Sequence, residues 1–507
     1  MKKSIQTVGF MFLMILLSKV LGQAREMLIA QLYGSSGDAA AFYAASALPL
    51  NLFDIVFASA VSSAFIPVYN AYLEKNGNHE SDRFASAFMN VLFILSTVLT
   101  LLLIVCSSGL IGLVAGGLVG QVRETAIHLT VILLPIIVFA SLAFSFVGLL
   151  QSKGEFNVPA VMSLVSNGTV ILYLCFFNTY FGITGLAVSL LIGWILQFAI
   201  QIPVAIKRGF RYQIVFRHEG LKTVVKLAIP VMVGTWIQPI SVIINNAFAS
   251  GIGNADAIPT LNWANKLYLI VSSVFTVSVT NYIFPKLSKQ SVKEESASYN
   301  DTLRISFLLL VTILIPIAVW MLALNTPIIE IVYKRGAFTD RDLYLTAGAF
   351  FYYSLGIPFY GLLDLLNKAY YARRNMLIPS VAAVCAIVLN VVMSYFLKNI
   401  MGSFGLALST SLTAIFLSTV LFLLLNRKLH FISRIAFGKI FCYVLYGVVM
   451  YPVCVLCYRI MPMKTTLIGN IAAVGVAALA GLLVYCSCLF LFHQDIRNIV
   501  KKGILKQ

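Results

Sequence analysis

The sequence predicts an all-α polytopic membrane protein of about fourteen transmembrane helices, built as two six-helix repeats followed by two additional C-terminal helices. Three observations carry this. Of 507 residues, 60% are hydrophobic and only 11% charged, with a mean hydropathy of +0.93, whereas a soluble chain carries roughly 25% charged residues. Apolar runs of about 20 residues, the length that crosses a bilayer core, recur along the whole chain. Blocks of sequence also return at a nearly fixed offset, 218 residues near the start of each half and 220 further on. This composition excludes a soluble enzyme, a disordered chain and a nucleic-acid-binding domain.

The apolar runs divide into spans at 5–32, 39–72, 84–116, 124–151, 157–178, 184–206, 222–250, 258–287, 302–325, 341–371, 376–397, 404–426, 435–460 and 466–492. The first follows Met1, Lys2 and Lys3 and carries Lys19 inside it. Its length and its lack of a small-residue cleavage site mark a retained helix rather than a signal peptide. An even number of spans puts both termini on one side. That side collects 26 of the 36 lysines and arginines, against seven on the other side and three inside helices. Every alternate loop is the basic one, so both termini are expected in the cytoplasm. The net charge of +18 then reports topology and attraction to anionic membrane lipids. All eight cysteines lie in apolar runs, so neither a disulfide framework nor a zinc site is expected, and the Cys454/Cys457 pair reads as core.

The repeat is seen where Gly182, Gly185, Leu186, Ala187 and Ser189 return as Gly402, Gly405, Leu406, Ala407 and Ser409. Pro159 returns as Pro379, each just after a short loop carrying a cation, Lys153 or Arg373. Asp38 and Ala39 return as Asp256 and Ala257, and Pro67 as Pro285. The expected organisation is an N-terminal half at 1–208, a basic cytoplasmic linker at 209–221, a C-terminal half at 222–427, and two further helices with a cytoplasmic tail at 428–507. Six spans per half make the repeat parallel, an architecture that places a substrate cavity between halves that rock for alternating access.

An ionisable group at bilayer depth costs roughly 2.5–3.5 kcal/mol on insertion scales, so it needs a partner or a wet cavity. The first span holds Lys19, Arg25 and Glu26, the second Asp54, the eighth Lys266, and the tenth Asp364 and Lys368. Lys19 and Glu26 are two turns apart and share a face. One reading pairs Lys19 with Asp54 and lets Arg25 snorkel outward. The other is a cavity with surplus positive charge, suited to an anionic substrate such as a phosphate or diphosphate. No P-loop and no H-E-x-x-H pattern occurs, and no cofactor is expected. Asn167 and Asn300 begin glycosylation-type triplets, but one is at membrane depth and the other cytoplasmic, so neither counts.

At these residues the chain resembles the MurJ (MviN) family of bacterial lipid II flippases, within the multidrug/oligosaccharidyl-lipid/polysaccharide exporter superfamily. The resemblance runs through Ser18-Lys19-Val20-Leu21-Gly22 with Arg25-Glu26, Leu48-Pro49, Ala64-Phe65-Ile66-Pro67 and Trp263-Ala264-Asn265-Lys266-Leu267. It continues through Arg335-Gly336-Ala337-Phe338, Gly356-Ile357-Pro358 and Ala369-Tyr370-Tyr371. It implies that Lys19, Arg25 and Lys266 contact the diphosphate of a polyprenyl-linked sugar, with Glu26, Asp54 and Asn265 in the same substrate-binding site. It also implies that the last two helices form a groove for the polyprenyl tail. The chain departs from the family at Ala40, Phe53 and two arginines replaced by lysine, which keep charge but lose bidentate geometry.

The expected function is therefore a non-enzymatic flippase for a polyprenyl-diphosphate-linked cell-wall precursor, lipid II in peptidoglycan synthesis, in the bacterial inner membrane, acting as a monomer. Its partners would be the lipid-linked substrate and membrane lipids, with no nucleic acid. Alternatives are another lipid-linked polysaccharide or teichoic precursor, or a cation-coupled drug exporter, which would want a net acidic cavity. A membrane acyl- or glycosyltransferase would need a catalytic histidine or paired carboxylates near an interface, and no convincing arrangement is present.

Overall fold

The computed structural model of the protein describes residues 2–58, 64–235, 237–253, 255–292, 296–462 and 466–492. The basic tail beyond residue 492, together with Lys293 and Lys464, lies outside the described residues. Among the described residues every regular element is helical, and nine helices are long and apolar enough to cross a membrane, with a tenth span formed by a helix pair bent by 45°. All eight cysteines are free thiols. The chain forms two compact units, residues 1–259 with 336–338, and residues 260–335 with 339–507.

Unit 1 begins with α1 (Lys2–Tyr33), α2 (Gly37–Phe53) and a π turn (Asp54–Ala58), followed by α3 (Ile66–Val105), α4 (Ser107–Val114), α5 (Gly120–Leu133) and α6 (Ile136–Ser152). It continues with α7 (Asn157–Phe176), α8 (Asn178–Ala199), α9 (Gln201–Lys207), α10 (Glu219–Thr235) and α11 (Ile237–Ser250). The seventh expected span, as α10 and α11, thus packs with the first six. Ser36 caps α2 by accepting the Ala39 N–H at 3.3 Å. Alanines 39, 40, 41, 44 and 45 are wholly buried, so α2 runs through the middle of the unit, where small side chains let helices approach closely. Pro49 inside α2 and the π turn after it are a mid-helix distortion of the kind found at functional positions. Lipid-facing positions are apolar instead, as Val105, Leu113 and Tyr180 are, each more than three-quarters exposed.

The expected loop between the second and third spans is mostly helical. α3 runs through it, broken only at Gly77, whose φ of 79° lies where side chains are disfavoured. The part of α3 beyond that break holds the 209–218 segment. Asp82, Ser86 and Asn90 form a stripe at four-residue spacing, about 6 Å apart along a helix, which matches about 6.6 Å for two residues of extended chain. The Arg211 N–H donates to Asp82 Oδ2 and the Gln213 N–H to Ser86 Oγ, both at 3.0 Å. Asn90 Nδ2 donates to the carbonyls of Gln213 and Val215 at 3.1 and 2.9 Å, and the Tyr212 hydroxyl donates to Asn90 Oδ1. Asp82 Oδ1 also takes a buried ion pair from Lys153 Nζ at 3.0 Å and the Tyr69 hydroxyl at 3.1 Å.

Unit 2 contains α12 (Ala257–Val292, entering from unit 1), α13 (Ser296–Ala323), α14 (Asn325–Tyr333), α15 (Asp340–Ser354) and α16 (Ile357–Ala372). After these come α17 (Leu377–Met401), α18 (Ser403–Leu429), α19 (Arg434–Ile460) and α20 (Leu467–Phe492). Thr339 and Asp342 close a reciprocal cap at the start of α15, and Ser433 caps α19. α17 packs with α18 and α19 with α20. Gly481 makes the second hairpin possible, since a Cβ there would meet Cys454 Sγ at 2.2 Å.

Glu155 sits on the α6–α7 loop and binds Arg208, while its Oε1 accepts the Asn157 N–H at 3.0 Å. Burial pushes its carboxyl up, but the Arg208 hydrogen bond and charge and the backbone N–H groups of Asn157 and Val158 leave it below the ordinary carboxylate range. A carboxyl lowered on folding stabilises above its unfolded pKa, and that contribution is lost as pH falls through the folded value. Glu155→Gln should therefore flatten the acid limb of a melting-temperature profile below about pH 4.3 without changing its alkaline limb. Asp82→Ala, which leaves Lys153 buried and unpaired, should cost about 3–5 kcal/mol and open the 209–218 segment to protease. Asp301→Ala, breaking only an exposed pair with Arg304, should change stability by less than about 1 kcal/mol.

Candidate substrate-binding site

The three expected spans that carry all six candidate residues correspond to α1, α2 with its π turn, and α12. On α1 the structure brings Arg25 and Glu26 together directly. Arg25 NH2 meets Glu26 Oε1 at 2.7 Å, and the Glu26 side chain is only 3% exposed. Arg25 NH1 donates to Asn167 Oδ1 on α7 at 3.0 Å. The Tyr43 hydroxyl, from α2, donates to Glu26 Oε2 at 2.7 Å. Three helices thus fix one charge pair, and charge-assisted bonds of this kind are the strong ones.

Asn167 does more than accept from Arg25. Its Nδ2 donates to the Ser18 carbonyl at 3.3 Å, so one amide spans about two turns of α1. Gly22 lies between the two contacts, and a Cβ there would already sit 3.5 Å from Asn167 Nδ2. A longer side chain at that position would displace the amide. The sequence reading passed over Asn167 and Tyr43. The available signal for the first was an amide at membrane depth on an apolar helix, which needs a partner. Nothing in the pattern singled out Tyr43.

Lys19 is half-buried on α1, one turn beyond Gly22 toward the N-terminus. The Asp54 side chain is exposed in the π turn, and among the described residues it makes no ion pair. Arg25 does not snorkel. The arrangement that pairs Lys19 with Asp54 and frees Arg25 is therefore not the one found. In unit 2, Asn265 and Lys266 are half-buried on α12, a helix anchored on either side of them. Trp263 is fully buried beside Tyr333, ring centroids 5.9 Å apart, and its carbonyl accepts the Tyr333 hydroxyl. Tyr268 stacks on Tyr353 at 5.7 Å and meets Tyr360 edge-on. Asp364 and Lys368 are neutralised locally, 3.1 Å apart, with Thr280 bonded to both at 2.6 Å.

Unit 2 also carries two apolar grooves. One, of about 670 Å³, is lined by α13, α16, α18 and α19, through residues such as Val311, Leu362, Phe422 and Val444. The other, of about 420 Å³, lies between α13 and the last two helices, against Pro316, Met450 and Leu482. The last two helices alone form neither; α13 supplies a wall of each.

The chain matches a family model described as lipid II flippase MurJ over residues 29–477. It is 30% identical over 425 residues to a probable lipid II flippase MurJ of Buchnera aphidicola subsp. Acyrthosiphon pisum (strain APS), covering 82% of each chain. It is 29% identical over 428 residues to a lipid II flippase MurJ of Burkholderia cenocepacia, again covering 82% of each. A solved lipid II flippase MurJ in an inward closed conformation is similar with a TM-score of 0.81 at 27% identity, covering 96% of this chain and 99% of that one. An inward-facing MATE family multidrug resistance transporter of the MOP superfamily gives a TM-score of 0.71 at 12% identity, covering 82% and 94%, which shows a shared fold alone.

Asn167→Leu removes the acceptor that orients Arg25, and a lost hydrogen bond to a charged group is worth about 1.5–3 kcal/mol. The expected outcome is roughly tenfold or greater weakening of polyprenyl diphosphate binding, read as a smaller ligand-induced rise in melting temperature. Asn167→Asp, which keeps the acceptor, should retain most of the rise.

Proposed function

The chain belongs to the MurJ family of lipid II flippases, and from that premise we propose how its own residues carry out the transport. It is a multi-pass membrane protein that flips lipid II, a lipid-linked precursor of peptidoglycan, and it moves this substrate rather than transforming it chemically. In our reading it lies in the bacterial inner membrane as a monomer with both termini and the 207–222 loop in the cytoplasm, as the alternation of basic loops favours.

The diphosphate of the substrate is bound by Lys19, Arg25 and Lys266, with Glu26 setting the orientation of Arg25. The observation that carries this reading is the charge balance around Gly22 on α1, where Lys19 and Arg25 stand against one carboxylate, Glu26, that is itself buried and shared with Tyr43. Cations at membrane depth are costly to keep unless they serve a pathway or a ligand. A bound diphosphate neutralises them and lets the site change the side it faces. The polar head group crosses by alternating access while the polyprenyl tail stays in an apolar environment, for which the grooves beside α19 provide apolar walls. The membrane potential biases the return of the empty, positively charged site, since one charge across 100 mV is worth about 2.3 kcal/mol.

In our reading Asp54, in the π turn after α2, and Asn265, next to Lys266 on α12, complete the set of substrate-binding residues. Arg25→Ala and Lys266→Ala should each slow flipping at least tenfold at normal abundance and insertion, and Lys266→Arg should be tolerated. Lipid II exposed at the outer face of cells depleted of other flippases is the measurement. Wild-type rates for both alanine variants would contradict the cationic site.

A further inference from the structure

The internal repeat brings a second place into view, away from α1 and independent of the transport reading. At an offset of 220 residues, the α6–α7 loop Lys153-Gly154-Glu155 corresponds to the α16–α17 loop Arg373-Arg374-Asn375, and Arg208 corresponds to Lys428. The two loops share a backbone. Gly154 and Arg374 both have positive φ, 76° and 56°. The Glu155 N–H donates to the Leu150 carbonyl and the Asn375 N–H to the equivalent Tyr370 carbonyl, at 2.8 and 3.1 Å. A glycine accepts this conformation freely, whereas an arginine adopts it only under constraint, so the loop geometry is kept even where the residue opposes it.

The charges differ. In unit 1 every cation of the set is answered: Lys153 by Asp82 and Arg208 by Glu155. In unit 2 the position of Glu155 is taken by the neutral Asn375, and among the described residues neither Arg373 nor Lys428 forms an ion pair. Arg373 instead stacks over the Tyr299 ring at 5.6 Å, a contact that orients a guanidinium while leaving its N–H donors available. Arg373, Asn375 and Lys428 line a cavity of about 140 Å³, with Ile378, Leu424 and Leu425 as its apolar wall. That volume is well above what a single water molecule needs.

We propose that this pocket, between the α16–α17 loop and the end of α18, binds a phosphate group, which takes the place the Glu155 carboxylate holds in the other half. Two cations at one rim and an amide that can donate suit phosphate oxygens. Basic pockets between helices at a membrane surface are where anionic lipid head groups bind. The phosphate is carried by such a head group or is free in solution, and the two sources share this chemistry.

The full-length protein, reconstituted in nanodiscs of phosphatidylglycerol or of phosphatidylcholine, is examined by native mass spectrometry for retained lipid. In parallel, its melting temperature is followed with inorganic phosphate against chloride at matched ionic strength. Asn375→Glu, which imports the carboxylate of the other half, should lower retention of phosphatidylglycerol at least tenfold if the source is lipid. It should abolish the phosphate-specific rise in melting temperature if the source is free phosphate. Lys428→Gln, a change at an exposed position, should weaken the same signal and guards against a folding defect in the first variant. Flipping by Asn375→Glu at the wild-type rate would separate this site from the transport site. Equal binding by wild type and both variants in both arms would overturn the proposal.

Discussion

A guanidinium at membrane depth must be met by hydrogen-bond acceptors, and the way Arg25 is met organises the centre of unit 1. Glu26 takes one side of it and Asn167 the other, while Tyr43 holds the far oxygen of Glu26. These bonds join α1, α2 and α7 in one place. In a bilayer there is no water-driven apolar association between helices, so close packing and interhelical polar contacts supply the attraction. Gly22 on α1 and the run of buried alanines on α2 provide the close approach. Asn167, Glu26 and Tyr43 provide the polar contacts. The group that needs satisfying is thereby held in one orientation, on which the proposed role of Arg25 toward an anionic ligand depends.

The loops follow a parallel logic with a different outcome in each half. Around the α6–α7 loop the cations are consumed by Asp82 and Glu155, and the stripe Asp82, Ser86 and Asn90 turns this part of α3 into a template for the segment leading to α10. Around the α16–α17 loop the same backbone is retained, but among the described residues no carboxylate pairs with either Arg373 or Lys428. Internal duplication preserves geometry through backbone hydrogen bonds and turn conformation, while single side-chain changes decide whether a charge is spent on structure or left for a ligand.

Much of the fold was legible because bilayer thickness imposes a length and an apolar composition that survive any detail of packing. Most of the fourteen expected spans correspond to one helix or to a consecutive broken pair, while the second runs over α2, the π turn and the start of α3, which continues into the third. Breaks were harder to read. Gly77 interrupts α3 without ending it, because helical conformation on both sides persists outside the apolar run that marked the span. At the candidate site, the adjacency of Arg25 and Glu26 is written in the sequence, and so is the surplus of cations. Asn167 lies 142 residues from Arg25, and no local spacing connects them; only tertiary packing does. The apolar grooves beside α19 have α13 as a wall, and the sequence order of the last two helices does not name that neighbour.

The central claim is that this chain moves lipid II through a site whose cations answer its diphosphate. The most direct measurement makes this chain the sole lipid II flippase of a bacterial cell and follows the rate at which lipid II reaches the outer leaflet. The account predicts sustained growth, with outer-leaflet lipid II restored to the level supported by the replaced flippase. Lysis and accumulation of lipid II in the inner leaflet, with the protein abundant and correctly inserted, would contradict it.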